Sequence, residues 1–262
     1  MKTILVGVDF KKSCNNTINY AIEIAKKTKS KILLFHVLTT PLIHTNSGLV
    51  FISGDEFSKG AERKMETLRA HFSKLYPKIK FDIELTYNGI TNRVGKLSAQ
   101  NKISLVVLGV ETKSKIQKFI YGTTGADLTG NISCPIITVP LKYMQHSIKK
   151  MLVAIDNNES ISSALSKRIN STIKFLGVDT EFVHIESKDE LNENLIRYKQ
   201  TSITDIKAKD FYSGIISYAK KSNVDIIMML SHHYSIFQNL FIESNSKKII
   251  LSSKIPVLSI HK

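Results

Sequence analysis

Short apolar runs recur along the chain and alternate with amphipathic stretches. Residues 4–9 read ILVGVD and residues 103–108 read ISLVVL, a composition typical of strands that are buried on both faces. Residues 17–25 place apolar side chains three and four positions apart, which predicts a helix with one buried face. Further helices are predicted at residues 55–75, 93–101 and 125–132. This alternation predicts an α/β fold with a mostly parallel sheet and right-handed crossovers.

The same order of apolar runs occurs twice, which indicates an internal repeat. Four runs of the first copy have a counterpart in the second: 4–9 with 151–156, 31–37 with 180–185, 103–108 with 224–229, and 134–139 with 255–260. The second copy is shorter, and a polar connector after Pro140 precedes it. The sequence therefore predicts two domains, residues 1–145 and 146–262. Helices of the second copy are predicted at residues 158–175 and 211–222, and the long helix of the first copy has no clear counterpart there.

Glycine and polar residues stand at the carboxyl ends of the predicted strands of the first copy. These ends carry Gly7-Val8-Asp9, His36-Val37 and Gly109-Val110-Glu111-Thr112. In an open parallel sheet, ligands bind beyond this edge. Gly122-Thr123-Thr124 follows at a predicted helix N-terminus, where free amides and the helix dipole favour an anion. Threonine is also a common helix cap, so the residues alone leave an anion site and a plain cap both open.

The spacing of these residues resembles a known family signature. Gly109-x-x-Thr112, nine further residues and Gly122-Thr123 resemble the ATP-binding signature of the universal stress protein (UspA-like) family, Gly-x-x-Gly, nine residues, Gly-Ser or Gly-Thr. Residues 4–10, 35–37 and 134–139 resemble the first, second and last strands of that family. The resemblance covers nearly the whole chain in two passes. It implies a tandem form with two open, mostly parallel five-stranded sheets, Rossmann-like and adenine nucleotide alpha hydrolase-like, arranged as an intramolecular pseudo-dimer.

The resemblance also implies a ligand and the residues that hold it. The ligand is ATP or another adenine nucleotide, with or without Mg²⁺. The cofactor-binding residues that it implies are Gly7, Asp9, Val37, Gly109, Thr112, Gly122, Thr123 and Thr124. The first three would frame adenine and ribose, and the glycines and threonines of the signature would hold the phosphates. Thr112 stands where the family has its second glycine, so a positive φ there would be costly and phosphate binding would be weakened or reshaped.

The second copy does not keep this pattern. The counterparts of Gly109, Thr112, Gly122 and Thr123 are Leu230, His233, Glu243 and Ser244. Leucine and histidine add bulk where the backbone must approach phosphates, and glutamate adds a negative charge beside them. We therefore expect the second copy to be a structural partner with a degenerate site.

Composition narrows the choice of partners. The chain has 37 Lys and Arg against 22 Asp and Glu, a formal net charge of +15 that favours polyanions in general. Lysines come singly or in pairs, arginine is scarce and tryptophan is absent. This distribution does not favour nucleic acid as a partner and indicates a lysine-rich solvated surface.

The sequence also bears on the cellular location of the protein and on metal binding. No apolar run approaches the roughly 18 residues of a membrane-spanning helix, and Asp9 comes too early for a signal peptide. We therefore expect no membrane partner and a cytoplasmic location. Cys14 and Cys134 lack metal-ligand spacing, so we predict no metal site and expect two reduced thiols.

These observations favour a cytoplasmic stress-response protein in which a bound adenine nucleotide is a regulatory signal. No pattern nominates a nucleophile or a general base, so we do not expect an enzyme. Three alternatives stay open: an interaction or scaffold protein of the same fold without nucleotide, a slow ATP hydrolase and, least favoured, a nucleic-acid-binding protein. The resemblance implies dimerisation through the last strand, which a tandem chain satisfies by placing the strands of Val139 and Ile260 side by side. A homodimer of the tandem unit and a regulatory protein partner also stay open.

Overall fold

Two similar sets of strands and helices follow one another along the chain. The structure is a computed structural model that describes residues 1–11, 14–38, 42–45, 48–51, 54–87, 90–100, 102–110, 134–145, 147–155, 162–186, 203–231, 249–250 and 252–261. The first half contains β1 (Thr3–Gly7), α1 (Cys14–Thr28), β2 (Lys31–Val37), β3 (Leu42–Thr45), β4 (Gly48–Phe51), α2 (Gly54–Leu75), β5 (Phe81–Thr86), α3 (Ile90–Ala99), β6 (Leu105–Val110) and β7 (Ile136–Pro140). The second half contains β8 (Lys150–Ile155), α4 (Ser163–Leu176), β9 (Asp179–Glu186), β10 (Ile203–Lys207), α5 (Phe211–Lys221), β11 (Ile226–Ser231) and β12 (Val257–His261).

Ten of these strands form one continuous sheet in the order β10-β9-β8-β11-β12-β7-β6-β1-β2-β5. Neighbouring strands within each half are parallel. The halves meet where β7 pairs antiparallel with β12, with Leu258 opposite Ile137. The α/β class and the tandem arrangement are confirmed. The two predicted five-stranded sheets are halves of a single sheet, because their last strands hydrogen-bond edge to edge.

Most of the predicted helices are present. Those predicted at residues 17–25, 55–75, 93–101 and 211–222 are α1, α2, α3 and α5, with ends that differ by a few residues. The helix predicted at residues 158–175 is α4, which is described from Ser163 onward. The helix predicted at residues 125–132 lies outside the described residues, as do residues 187–202, where a counterpart of α2 would stand.

The two outermost strands were not among the repeated runs. β5 reads FDIELT and alternates apolar with polar residues, as is typical of a strand with one face toward the core. β10 reads ITDIK and is largely exposed. The sequence prediction also did not include the hairpin of β3 and β4, which pair antiparallel as a separate two-stranded sheet.

The hydrophobic core continues from one half into the other. Alternate residues of β1 point to opposite faces of the sheet, so Ile4 and Leu5 belong to two different buried clusters. The cluster that contains Ile4 also contains Met151 and Leu258 of the second half. The cluster that contains Leu5 likewise reaches Ile227. Each face of the sheet therefore has one core that both halves share.

Local signals in the sequence account for several helix ends. Ser162 precedes α4 and its hydroxyl accepts a hydrogen bond from the backbone N–H of Leu165, while Gly177 ends the helix with φ 57°. Lys26 and Lys27 lie in the last turn of α1, where the helix dipole favours positive charge. Among the described residues, no helix has the length and apolar character needed to cross a bilayer.

Candidate functional site

The carboxyl ends of three neighbouring strands meet at one edge of the first half. β6, β1 and β2 lie side by side in the sheet. Gly7 ends β1, Val37 ends β2, and Gly109 is the last residue but one of β6. Asp9 follows two residues after β1. The structure therefore brings four of the predicted site residues to one edge, which is where an open parallel sheet binds its ligands.

Asp9 carries an exposed carboxylate at this edge. Its Oδ1 accepts a hydrogen bond from the backbone N–H of Lys11 at 3.1 Å, and its Oδ2 lies 3.5 Å from Nζ of Lys11. The Asp9 side chain is 43% exposed, so solvent screens this ion pair and it contributes little to stability. The carboxylate has lone pairs left for donors of a ligand, such as hydroxyl groups.

Phe10 has a strained backbone beside Asp9. Its φ is 58°, a left-handed conformation that bulky side chains rarely adopt. Its ring lies 4.3 Å from that of His36, centroid to centroid, and Nζ of Lys64 lies 5.6 Å from its centroid. Strain of this kind costs on the order of 1–3 kcal/mol and is concentrated at ligand sites and switches. Phe10 and Lys64 could not be identified from the sequence, because only the folded chain brings α2 to the end of β1.

His36 is held in one tautomer by the backbone. Its Nδ1 lies 2.7 Å from the carbonyl oxygen of Val8, and since a carbonyl can only accept, Nδ1 carries the proton. Burial lowers the pKa of His36, and Lys64 lowers it further, against the opposing effects of the Val8 hydrogen bond and the Asp9 charge. The ring is therefore neutral at pH 7, and its Nε2 is a hydrogen-bond acceptor.

Close packing around residue 109 explains why it is a glycine. A Cβ at this position would lie 2.5 Å from Oγ1 of Thr17 and 3.1 Å from Cδ2 of Leu141, closer than non-bonded atoms pack. Thr17 is buried, and its Oγ1 has no hydrogen-bond partner among the described residues. The same holds for Oδ1 of Asn16, whose Nδ2 donates to the carbonyl oxygen of Leu141 at 3.3 Å. The first turns of α1 therefore close against the end of β6.

The second part of the predicted phosphate site cannot be placed in the same way. Thr112, Gly122, Thr123 and Thr124 lie outside the described residues, and so do His233, Glu243 and Ser244 of the second half. The effect of Thr112 on phosphate binding stays a prediction. Within the described ranges, no three His, Cys, Asp or Glu side chains come together as a group that could hold a metal ion.

The corresponding edge of the second half differs. Leu230 pairs with Ile260 as Gly109 pairs with Val139, so the two positions are equivalent. Leu230 is buried in the shared core, so a bulky side chain stands where the first half has a glycine. His184, the counterpart of His36, has its Nδ1 3.0 Å from Oδ1 of Asp205, whereas Nδ1 of His36 lies beside the carbonyl oxygen of Val8.

Both cysteines are expected to react slowly with thiol reagents. Burial raises the pKa of Cys14 and of Cys134 to about 11, and only the thiolate attacks such reagents. Two pH units above an ordinary value of 9.0 leave about a hundredfold less thiolate at pH 8. Iodoacetamide labelling should therefore be about a hundredfold slower in the native chain than in guanidinium chloride. Equal rates in both conditions would show that the thiols are accessible.

Comparison with known proteins identifies the family of this chain. The model of the Universal stress protein family matches residues 1–140 and again residues 147–261. No curated protein matches the chain at a significant level. The exact boundary between domains 1–145 and 146–262 stays a prediction, and each family match lies within one of them.

Solved structures show the same fold at low identity. A universal stress protein from Archaeoglobus fulgidus DSM 4304 is 16% identical with a TM-score of 0.67, and the match covers 99% of this chain and 96% of that one. A putative universal stress protein from Pseudomonas aeruginosa UCBPP-PA14 is 12% identical with a TM-score of 0.60, and the match covers 100% of this chain and 93% of that one. Because the family model matches both halves of the chain, this protein belongs to the universal stress protein family in its tandem form.

Proposed function

We propose that the first half binds ATP or a related adenine nucleotide at the edge formed by β6, β1 and β2. The observation that carries the proposal is the convergence of Gly7, Asp9, Val37 and Gly109 at the carboxyl ends of these strands. They come from three separate runs of the sequence and meet only in the folded chain. Membership of the universal stress protein family agrees with a regulatory role in the stress response.

The described side chains suit the parts of such a ligand. The partly buried ring of Phe10 offers apolar surface for a base, and Nε2 of His36 can accept a hydrogen bond from an amino group. Asp9 can accept hydrogen bonds from ribose hydroxyls. Lys11 and Lys64 place positive charge near the same edge, which favours phosphates.

Magnesium would bind together with the nucleotide phosphates, and not in a site formed by protein side chains alone. Mg²⁺ in nucleotide sites is commonly held by phosphate oxygens and one or two carboxylates. Asp9 is the carboxylate that the described part of this edge offers, and no group of three possible ligands is present in the described ranges. We propose that the bound nucleotide acts in the cytoplasm as a signal that changes shape or partner choice, and that it is not turned over at a useful rate.

A fluorescent ATP analogue tests this proposal. We expect saturable binding that is weakened on the order of tenfold by Asp9→Ala, since hydrogen bonds to a charged group are lost, and abolished by Gly122→Glu. Asp156→Ala, the matched change in the second half, should leave the affinity unchanged. Absence of a saturable signal at millimolar nucleotide would rule the proposal out.

An interaction protein without nucleotide is the second candidate, and Gly109 favours it. Because Thr17 and Leu141 already explain the glycine, that residue can persist in a chain that binds no phosphate. Magnesium-dependent phosphate release that disappears with Asp9→Ala would instead favour a slow ATP hydrolase. A chain that neither binds the analogue nor releases phosphate would support the interaction protein.

A further inference from the structure

The connector between the halves, residues 141–149, is bound to one buried carboxylate. Oδ2 of Asp225, at the start of β11, accepts hydrogen bonds from the backbone N–H groups of Lys149 at 2.7 Å and Lys150 at 2.9 Å. Its Oδ1 accepts from Nε2 of Gln145 at 2.9 Å, and its backbone carbonyl oxygen accepts from the hydroxyl of Tyr143 at 3.2 Å. Asp225 is 8% exposed. One residue of the second half therefore bonds to three residues of the connector and to the first residue of β8.

The fold itself does not require an acid at this position. The backbone N–H of Asp225 bonds to the carbonyl oxygen of Lys150, as that of Ser104 bonds to the carbonyl oxygen of Thr3. Ser104 is thus the counterpart of Asp225 in the first half. The same strand geometry forms there with a serine. In the second half, the acid at this position bonds to the connector.

The connector also packs into the core that the two halves share. Tyr143 and Ile148 are buried members of the shared core, and the Tyr143 ring lies 6.1 Å from that of Tyr20 in α1. Leu141 donates its backbone N–H to the carbonyl oxygen of Val110 at 3.3 Å, which ties the start of the connector to the first half. Burial and the charge of Asp225 raise the pKa of Tyr143 to about 12, so its hydroxyl keeps the proton that it donates.

The pairing that joins the halves could form equally between two copies of the chain. β7 and β12 pair at three positions, with Leu258 opposite Ile137 at the centre. A second chain offers the same two edges, and exchange of identical elements is a common route to dimers. What favours pairing within one chain is the short distance that the connector imposes.

We infer that Asp225 is a clamp that keeps the two halves of one chain together and prevents their exchange with a second copy. With Tyr143, Gln145 and Lys149 bonded to Asp225, only residues 141–142 span the gap from Pro140 to the first of these bonds, a reach of about 7 Å. Without the clamp, the nine residues of the connector can extend to about 30 Å, which allows the second half to pair with the first half of another chain.

A disulfide trap across the pairing of β7 with β12 tests the clamp. Thr138 and Val257 are directly opposite each other in β7 and β12, so Thr138→Cys with Val257→Cys can form a bond within or between chains. The protein is refolded from urea at low and high concentration, oxidised, and analysed on a non-reducing gel. We expect almost only the bond within one chain. With Asp225→Ser, which restores the residue of the first half, the covalent dimer should increase on the order of tenfold or more at high concentration.

Two further variants make the outcome decisive. Asp179→Ser changes an exposed acid at the start of β9 in the same half and should leave the dimer fraction unchanged. Tyr143→Phe combined with Gln145→Ala removes two of the four hydrogen bonds without altering Asp225, and it should give a smaller increase in the dimer fraction. This second test holds even if Asp225→Ser does not fold. An unchanged dimer fraction in the folded clamp variants, or an equal increase in Asp179→Ser, would overturn the inference.

Discussion

Leu258→Ala is expected to lower the free energy of unfolding of the whole chain by about 2–5 kcal/mol, the usual cost of removing a fully buried leucine side chain. Leu258 is 0% exposed and lies opposite Ile137 at the seam between the halves. Urea unfolding followed by far-ultraviolet circular dichroism measures the effect. Leu75→Ala provides the control, because that leucine is 56% exposed and its loss should change stability by no more than about 0.5 kcal/mol.

The effect of Leu258→Ala should reach both halves because they share their cores. The buried cluster that contains Leu258 also contains Ile4 and Val107 of the first half. Hydrogen exchange in the variant should therefore accelerate in β1 and β6 as well as in β12. Faster exchange confined to the second half would show that the halves unfold independently.

Gly109→Ala is expected to destabilise the protein by about 1–3 kcal/mol, the range for overpacking a close contact. The new Cβ would lie 2.5 Å from Oγ1 of Thr17, and Thr17 is 1% exposed, so its buried side chain has little space into which to move. Thr17→Ala should recover much of the loss, so a double-mutant cycle in urea should show strong coupling between the two positions.

Gly60→Ala is a matched control with the opposite expected sign. Gly60 lies inside α2, and beyond the backbone of its own helix no described atom lies within 4 Å of the Cβ that alanine would add. Alanine in a helix interior is more favourable than glycine by about 0.5–1 kcal/mol. If Gly60→Ala and Gly109→Ala destabilise the chain equally, or if Thr17→Ala gives no recovery, the contact at Gly109 is not the cause.

The sequence predicted the centre of the sheet better than its edges. The runs at β1, β6 and β11 are almost continuously apolar because both faces of these strands are covered, and that pattern repeats in both halves. β5 and β10 stand at the edges, where one side chain in two can be polar, so they do not resemble the repeated runs. The pairing of the last strands, β7 with β12, was predicted from the family resemblance and is confirmed, although hydropathy alone does not encode which strand edges pair.

Part of the candidate site could also be predicted from the sequence. Gly7, Val37 and Gly109 could be placed at one edge, because the carboxyl ends of adjacent parallel strands always lie together. The left-handed conformation of Phe10 could not be predicted, since that conformation is chosen by tertiary contacts and not by the residue type. The clamp at Asp225 was also not predicted, because its four partners are about 75 to 82 residues away along the chain and only topology brings them together.

Hydrogen exchange measured by mass spectrometry with and without ATP tests the central claim most directly, which is that one half of the tandem chain binds nucleotide. The account predicts slower exchange on ATP addition in peptides that contain the ends of β1, β2 and β6, with no change at the equivalent ends of β8, β9 and β11. Asp9→Ala should remove this protection. No protection anywhere at millimolar ATP, or equal protection in both halves, would contradict the account.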